Sequence, residues 1–520
     1  MAIGLVQSPQ SIDTCYGPVI FTLDNIAVGN SYFVLEVWDG PPAVGASVKQ
    51  ATLYQSPNEN GAAIFDIQHV LQSFVTVNKE DFDRLGDWKF DTTNFAASQP
   101  KILSTADLES GVYYVRYGST TAIGTAPESW SGSAGAYNYF NGYKPFYRRL
   151  FDFNTNEYGD TQYPVYRATV SGDCEGLYNC TQIDWRQLPL SDNRSIRVAA
   201  ESGYPYPPQI APGMEVSRHW VTSNDWATKS WINEVSLTQC APEQWVKGIE
   251  GFRYVFMDGT TIRGDLYLPN IQINGGGPNT NVNQGTADNY PYKIISQGTG
   301  PMNLRNMKWY ESSTGAEQTF RIGDLLNWTH YWVYPVASAG AFENCLNING
   351  MMSTPMGQPQ LYIRKEANCL DYDHIQISWL NSFGFRDQFT FRKKNEKRVT
   401  SSRNVYDTNE YDPSAAEWFA DPEYRGQTVY SSVNEIEWTV TSDYMTDQEA
   451  ITLETLFSSP DVRAEIPYAF WDDQYGYTTA AFQAVILTSN TYTRKSFRKD
   501  NLFQYELTFK LATNRKVQRG

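Results

Sequence analysis

The sequence lacks the segments that direct a chain into or across a membrane. No stretch of its 520 residues approaches the roughly 20 consecutive apolar residues that a spanning helix requires. The opening residues, MAIGLVQSP, have no positive charge before a short apolar run, so they do not match a signal peptide. We therefore expect synthesis and assembly in a cytoplasm, without membrane insertion.

Positive charge is also in short supply. The chain has 41 Lys and Arg residues against 57 Asp and Glu residues, which gives a formal net charge of −16. A nucleic-acid surface needs basic patches that face the phosphates, so nucleic acid is not an expected partner. Basic residues concentrate only at 392–398 and 494–499, both at the ends of predicted strands. We interpret them as solvated charges that protect sheet edges.

Cysteine patterns typical of disulfide frameworks or zinc sites are missing. Only Cys174 and Cys180 are close in sequence, and their spacing lacks paired Cys-x-x-Cys motifs. The remaining cysteines are Cys15, Cys240, Cys345 and Cys369. We expect free buried thiols and no metal site.

Catalytic motifs are absent as well. There is no Gly-x-Ser-x-Gly elbow, phosphate-binding Gly-x-x-x-x-Gly-Lys loop or His-x-x-x-His pair. The four histidines are far apart in sequence: His69, His219, His330 and His374. His69 falls on the polar side of a predicted helix, which favours a solvated ring over a general base.

Two acidic pairs are candidates for a functional site: Asp371 with Asp373, and Asp472 with Asp473. Asp371 and Asp373 would project from one face of an extended segment, where they could bind a cation or act on a glycosidic bond. Carboxylates two positions apart are also common in turns. We therefore predict that the protein is not an enzyme and has no catalytic, cofactor-binding or metal-binding residues and no cofactor.

Aromatic residues are abundant, at 15% of the chain with 35 Tyr and 15 Trp. Tyr and Trp combine a large contact area with one polar group, which suits wet interfaces between subunits. They are also good strand formers in any β-rich protein. Composition leaves both interpretations open.

The first 150 residues are predicted to form a β-sandwich. Strands are expected at 18–24, 31–38, 48–54 and 112–118, where β-branched and aromatic residues lie between turn signals. Asp66 is expected to cap a short helix. The helix has Ile67, Val70, Leu71 and Phe74 at the spacing of one apolar face, which can close the end of the sandwich.

The middle of the chain is predicted to be β-rich, as a region with long loops at 151–300 and a second part at 301–405. Strands are expected at 252–257, 331–336, 360–364 and 376–379. The Gly/Asn segment 274–281 contains no apolar residue, so we expect a loop that is mobile in the free protein and either stays mobile or is ordered only by a partner.

The residues 406–520 are predicted to form a C-terminal β-α-β module. A strand at 433–440 is followed by a helix with a capping box from Thr446 to Glu449, and by an apolar stripe of Leu453, Leu456 and Phe457. Further strands are expected at 464–467, 481–488 and 503–511. The predicted fold class is mainly β, with multidomain β-sandwiches and a few short helices.

Several phrases along the chain carry a family resemblance. They are FDI at 65–67 with VLQSF at 70–74, YFNG at 139–142, WLNSFG at 379–384 with FTF at 389–391, and LFSSPDV at 456–462. In this order and at these separations the chain resembles virion structural proteins of tailed bacteriophages that infect Bacteroidota.

The resemblance implies an oligomeric building block of the tail, such as a baseplate or tail-tip ring. Its expected partners are further copies of itself in a ring-forming homo-oligomer and neighbouring tail proteins, and its expected location is the virion. Three alternatives remain open: a collar or neck ring component, an adhesin at the tail tip that binds a host surface glycan through Trp and Tyr, and a tail-associated glycan hydrolase supported only by scattered carboxylates.

Overall fold

A computed structural model shows a mainly β protein with a few short helices, which confirms the predicted fold class. It describes residues 3–9, 12–26, 29–42, 47–75, 110–127, 130–142, 157–158, 161–162, 166–169, 182–186, 196–197, 205–207, 215–223, 225–232, 234–236, 249–269, 294–304, 309–311, 317–318, 327–337, 359–364, 374–381, 384, 386–408, 416–417, 426–446, 450, 453–472, 477–489, 502–512 and 515–518. The chain forms two compact units, one of residues 1–366 with 380–388 and the other of residues 367–379 with 389–520. The predicted boundaries near 150, 300 and 405 stay predictions.

The first unit begins with two sheets that share one core, and their strands pair antiparallel except for the parallel pair of Ile12–Thr14 with Trp130–Phe140. Their strands are β1 (Gly4–Gln7), β2 (Ile12–Thr14), β3 (Ile20–Asp24), β4 (Tyr32–Trp38), β5 (Lys49–Gln55), β6 (Ala63–Asp66), β7 (Ser110–Thr120) and β8 (Trp130–Phe140). One sheet has the order β1-β3-β6 and the other β2-β8-β7-β4-β5. Phe21 of β3 and Leu35 of β4 belong to the same buried cluster, so the two sheets pack as a sandwich.

The first helix, α1 (Gln68–Gln72), closes this core as predicted. Ile67 and Leu71 are fully buried in it, because they lie one helical turn apart on the same face. The carboxylate of Asp66 accepts the backbone N–H of Gln68 at 3.0 Å, although the residue in the N-cap position is Ile67. His69 lies on the exposed side of the helix, as expected.

The second part of the first unit is built on a sheet of eight strands with both faces buried. These and the neighbouring strands are β9 (Glu157–Tyr158), β10 (Thr161–Gln162), β11 (Tyr166–Thr169), β12 (Gln182–Arg186), β13 (Ile196–Arg197), β14 (Glu215–Val221), β15 (Thr228–Ile232), β16 (Glu234–Ser236), β17 (Ile249–Asp258), β18 (Thr261–Pro269), β19 (Ile294–Gly298), β20 (Trp309–Glu311), β21 (Glu317–Gln318), β22 (His330–Ala337) and β23 (Gln360–Arg364). The sheet order is β13-β14-β23-β22-β17-β18-β20-β21, and β14 and β23 are parallel. Along β22, Tyr331 enters one buried cluster and Trp332 the other, because successive side chains of a strand point to opposite faces. A short helix, α2 (Pro301–Leu304), adds Leu304 to the first of these clusters.

The second unit is one large sheet with a helix on its inner face. Its strands are β24 (Ile375–Leu380), β25 (Arg386–Phe391), β26 (Asn395–Asp407), β27 (Gln427–Thr441), β28 (Met445–Thr446), β29 (Val462–Asp472), β30 (Tyr477–Leu487), β31 (Leu502–Phe503), β32 (Glu506–Leu511) and β33 (Arg515–Gln518). The order is β25-β24-β29-β30-β32-β27-β26, and β33 also pairs with β27. The helix α3 (Glu454–Ser458) follows β28 and precedes β29, so the C-terminal part has the predicted β-α-β character.

The apolar stripe of the C-terminal helix is confirmed, but its capping is not as predicted. Leu453 and Leu456 are buried in the core of the second unit, and Phe457 packs against it. Thr446 lies in β28, paired with Leu502, and the described helix has no side-chain cap. The other residues of the expected capping box, 447–449, lie outside the described residues.

Within the described ranges, no helix combines the length and the apolar character needed to cross a membrane.

Candidate assembly surface

The longest secondary-structure feature of the protein is the hairpin of β26 and β27. The two strands contain 13 and 15 residues, and they pair from Asn395 opposite Val440 to Asp407 opposite Gln427, with one bulge near the tip. At a rise of about 3.3 Å per residue, a strand of this length reaches about 40 Å. β27 also pairs with β32 from Glu437 to Thr441 and with β33 from Ser432 to Asn434, and its outer residues 427–431 pair with β26 alone among the described strands. The hairpin therefore extends well past the core of its own unit.

One face of the hairpin continues the inner face of the sheet. At the base, Val440 is buried in the core and Trp438 packs against it. Trp438 pairs with Lys397, and two residues further out Ile436 pairs with Val399. Directly paired residues of neighbouring strands project to the same side of a sheet. The face that carries the core at one end thus carries Val399 and Ile436 beyond it.

Toward the tip of the hairpin, the same face carries two polar pairs and then a second apolar pair. The polar pairs are Ser401 with Asn434 and Arg403 with Ser432. A bulge places one extra residue in β27, and beyond it Val405 pairs with Val429. Because β26 alternates regularly, Val405 lies on the same side as Val399. We call Val399, Val405, Val429 and Ile436 the hairpin stripe.

The hairpin stripe is largely uncovered. Val399 is 56% exposed, Val405 49% and Val429 39%. Among the residues that the structure describes, 13 large apolar side chains are exposed, and five of them belong to this one hairpin. Scattered single apolar side chains are normal on a protein surface, whereas a grouped set marks an interaction site. The hairpin is therefore the strongest candidate for an assembly surface.

The opposite face of the hairpin is mixed. Tyr406 and Tyr430 contact each other with ring centroids 6.1 Å apart, and the Asn404 amide donates to Ser431 Oγ at 3.0 Å. Closer to the base, Lys510 Nζ donates to Glu435 Oε1 at 2.7 Å. Cross-strand polar pairs of this kind are usual for a solvated sheet face.

The outer edge of the hairpin is also available for pairing. β26 is the last strand of the sheet order, so the groups of its backbone that point away from β27 have no neighbouring strand in the described part of the chain. A long end strand with free N–H and C=O groups is a template for a further strand. The hairpin thus offers two features for association, an apolar face and an open edge.

The basic cluster at the start of the hairpin is only partly solvated. Lys394, Lys397 and Arg398 are exposed, as expected, and Lys397 Nζ lies 5.5 Å from the centre of the Trp438 ring. Arg392 is 4% exposed, so the prediction of a wholly solvated cluster is wrong at this residue. It directly follows Phe391, which is buried in the core. The second basic cluster, 494–499, lies outside the described residues.

Two of the histidines, His219 and His330, are held by contacts within the first unit. His219 is partly buried, its Nε2 lies 2.9 Å from Gln360 Oε1, and its ring stacks on Tyr362 with centroids 4.7 Å apart. Burial, with a smaller effect of the Lys229 charge, lowers the pKa of His219 to about 3. A base this weak takes up few protons near neutral pH.

His330 is held in a different way, with its Nε2 2.7 Å from the carbonyl oxygen of Pro205. Burial lowers its pKa as well. The two rings are thus parts of a packed interior in the first unit.

The acidic pairs are not brought together in the described residues. Asp371, Asp373 and Asp473 lie outside them, and Asp472 is described only as the last backbone position of β29. The Gly/Asn loop 274–281 and all cysteines except Cys15 also lie outside the described residues. Cys15 is a free buried thiol, as predicted, and burial raises its pKa to about 12. In the part of the chain that is described, no three His, Cys, Asp or Glu side chains are placed to hold a metal ion.

A scan against protein-family models finds no matching family, and a search of the curated proteins finds no relative. The function of the hairpin therefore has to be inferred from its geometry. The full hairpin was not predicted from the sequence, because β26 carries Ser, Thr, Asn and Arg between its valines and shows no clear apolar alternation. Only the strand at 433–440 was predicted, and it forms the inner half of β27.

Proposed function

We propose that this protein is a structural protein of a tailed bacteriophage virion, an oligomeric building block of the tail that joins its neighbours through the hairpin stripe. Two observations support the proposal: the resemblance of the sequence phrases to virion structural proteins, and the long hairpin with two largely uncovered apolar pairs on one face. Self-association is the part that the hairpin supports directly. The tail station, a baseplate or tail-tip ring rather than a collar, is supported by the resemblance alone.

The energetics of the hairpin favour a partner on the stripe. A two-stranded ribbon is marginally stable in water on its own. Removing apolar surface from water contributes about 25 cal/mol per Å², so covering several half-exposed valines and an isoleucine gains a few kcal/mol on each subunit, to an order of magnitude. A second copy is the occupant we propose, because a ring of identical subunits repeats the same contact at every interface.

The stripe can be tested with charges placed on alternate faces of one strand. The stripe variant combines Val399→Glu with Val405→Glu. Each substitution would bring a carboxylate into an apolar contact, which costs several kcal/mol. The matched control is Thr400→Glu with Ser402→Glu, because both residues are exposed on β26 and point to the opposite face.

Light scattering coupled to size-exclusion chromatography should show an oligomer for the native chain. The stripe variant should shift to the mass of a single chain, and the control variant should stay an oligomer. A native chain that remains monomeric at high concentration contradicts self-association in solution, and equal behaviour of the two variants contradicts the role of the stripe.

The virion assignment needs a separate measurement. Peptide mass spectrometry of purified phage particles should detect the protein, and cryo-electron microscopy of the particle should place it in a symmetric ring of the tail in which each copy contacts at least two neighbours. Its absence from purified particles would sink the virion proposal while leaving self-association untouched.

A further inference from the structure

A charged and aromatic group lies on the outer face of the N-terminal sandwich. Along β4, Leu35 and Val37 point into the core, so Glu36 and Trp38 between and after them project to the other side of the sheet. Arg116 of β7 pairs directly with Glu36, and Ser133 of β8 pairs with Arg116. These side chains share one face that the core does not use.

The carboxylate of Glu36 is the centre of this group. It lies 3.1 Å from Lys49 Nζ, 2.5 Å from Arg116 Nε and 3.1 Å from Trp38 Nε1. The Glu36 side chain is 4% exposed, whereas the Lys49 and Arg116 side chains are 47% and 26% exposed. Two cations share one buried carboxylate, so the group has a net positive charge on a protein whose net charge is −16.

The guanidinium of Arg116 stands between two indole rings. Its central carbon lies 4.7 Å from the Trp38 ring centre and 4.1 Å from that of Trp130. The rings flank it because β7 lies between β4, which carries Trp38, and β8, which carries Trp130. Stacking of this kind holds the guanidinium plane in a fixed orientation. Only the Nε of Arg116 donates a hydrogen bond within the described residues, so its two terminal nitrogens remain available to a ligand.

We propose that this face binds an acidic saccharide, a sugar ring that carries a carboxylate. The two terminal nitrogens of Arg116 form a fork that matches the two oxygens of a carboxylate, and Lys49 adds a second positive charge beside it. The indoles of Trp38 and Trp130 supply apolar surface for the C–H groups of the sugar ring.

Hydroxyl groups for the rest of the sugar are at hand. Ser133 is exposed directly opposite Arg116, and Thr52 lies directly opposite Glu36 on β5. An aromatic surface beside a few placed polar groups is typical of small-ligand sites. An acidic peptide offers the carboxylate without the ring, so it would use only half of this arrangement. The proposal goes beyond the assembly function, since it concerns a different surface.

The test uses the full-length protein and two matched probes, methyl glucuronide and methyl glucoside, which differ by the carboxylate. Saturation-transfer difference NMR should show transfer from the protein to the glucuronide, strongest at the ring C–H groups, and much weaker transfer to the glucoside. Arg116→Lys keeps the positive charge beside Glu36 but removes the fork and the stacked plane, so we expect binding to weaken about tenfold or more. Trp130→Ala should weaken it as well.

Arg263→Lys is the matched control, because Arg263 is an exposed arginine in an ion pair with Asp258, at 2.7 Å. Its substitution should leave glucuronide binding unchanged. Circular dichroism confirms that each variant is folded, and the conservative Arg116→Lys keeps the test decisive if Trp130→Ala does not fold. Equal transfer to both sugars, no transfer to either, or equal binding by Arg116→Lys and the native chain would overturn the proposal.

Discussion

A buried ion pair in the first unit makes a strong prediction about stability. Lys229 Nζ lies 2.9 Å from Asp387 Oδ1, and the two side chains are 5% and 1% exposed. The other carboxylate oxygen of Asp387 accepts the Asn381 amide at 3.0 Å. The two charges are separated by 158 positions in the sequence, so the fold alone brings them together.

The perturbation is Asp387→Asn, which keeps the shape of the side chain and removes its charge. The ammonium of Lys229 then loses the carboxylate that lies 2.9 Å from it in the native protein. Removing one partner of a buried pair costs about 3–5 kcal/mol, because the remaining charge has lost both water and its partner. This is a large fraction of the roughly 5–15 kcal/mol that stabilises a typical domain.

Two further variants separate the unpaired charge from other effects. Asp258→Asn breaks the pair between Arg263 and Asp258, whose side chains are 45% and 35% exposed, and we expect a cost of about 1 kcal/mol or less. Adding Lys229→Met to Asp387→Asn removes the stranded charge, so the double variant should be more stable than Asp387→Asn alone.

The assay is equilibrium unfolding in urea, monitored by tryptophan fluorescence and by circular dichroism, with the free energy of unfolding compared across the four proteins. If Asp387→Asn costs no more than Asp258→Asn, burial of the Lys229–Asp387 pair does not increase the cost of removing its carboxylate. If the double variant is the least stable of the set, the stranded charge is not the cause of the loss.

Three further predictions concern side chains that the structure buries wholly or in part. The pKa of His219 is lowered from 6.5 to about 3, so the unfolded chain binds a proton that the folded chain does not, and stability present above pH 6.5 is lost as the pH falls. When the pH falls from about 7.5 to about 5, the free energy of unfolding of His219→Gln should drop by roughly 2 kcal/mol less than that of the native chain. The control His69→Gln should behave as the native chain does, and equal losses in the native chain and both variants would refute this prediction. Cys15 should resist iodoacetamide in the folded protein, since burial raises its pKa to about 12, and rapid labelling detected by peptide mass spectrometry would contradict its burial. Leu456→Ala should cost about 2–5 kcal/mol in urea unfolding, against less than about 0.5 for the exposed Glu454→Ala, and similar costs would mean that α3 does not cover the core.

Individual strands and helices could be predicted from the sequence alone. The alternation at 503–511 predicted β32, because a strand with one buried face repeats every two residues, but the structure places Phe503 in β31 and begins β32 at Glu506. The spacing of Leu453, Leu456 and Phe457 predicted the buried side of α3. The strand at 360–364 was predicted with the bounds that the structure shows. These signals are local, since each depends on neighbours within a few positions of the chain.

Only the tertiary structure decided which surfaces are covered and which side chains meet. Val399 and Val440 are similar residues on the same face of one sheet, yet one is exposed and the other buried, because the core and α3 cover only the base of the hairpin. Glu36 and Arg116 are 80 positions apart and meet through the pairing of β4 with β7. Register between distant strands depends on the whole set of pairings, and a single sequence read locally carries no record of it.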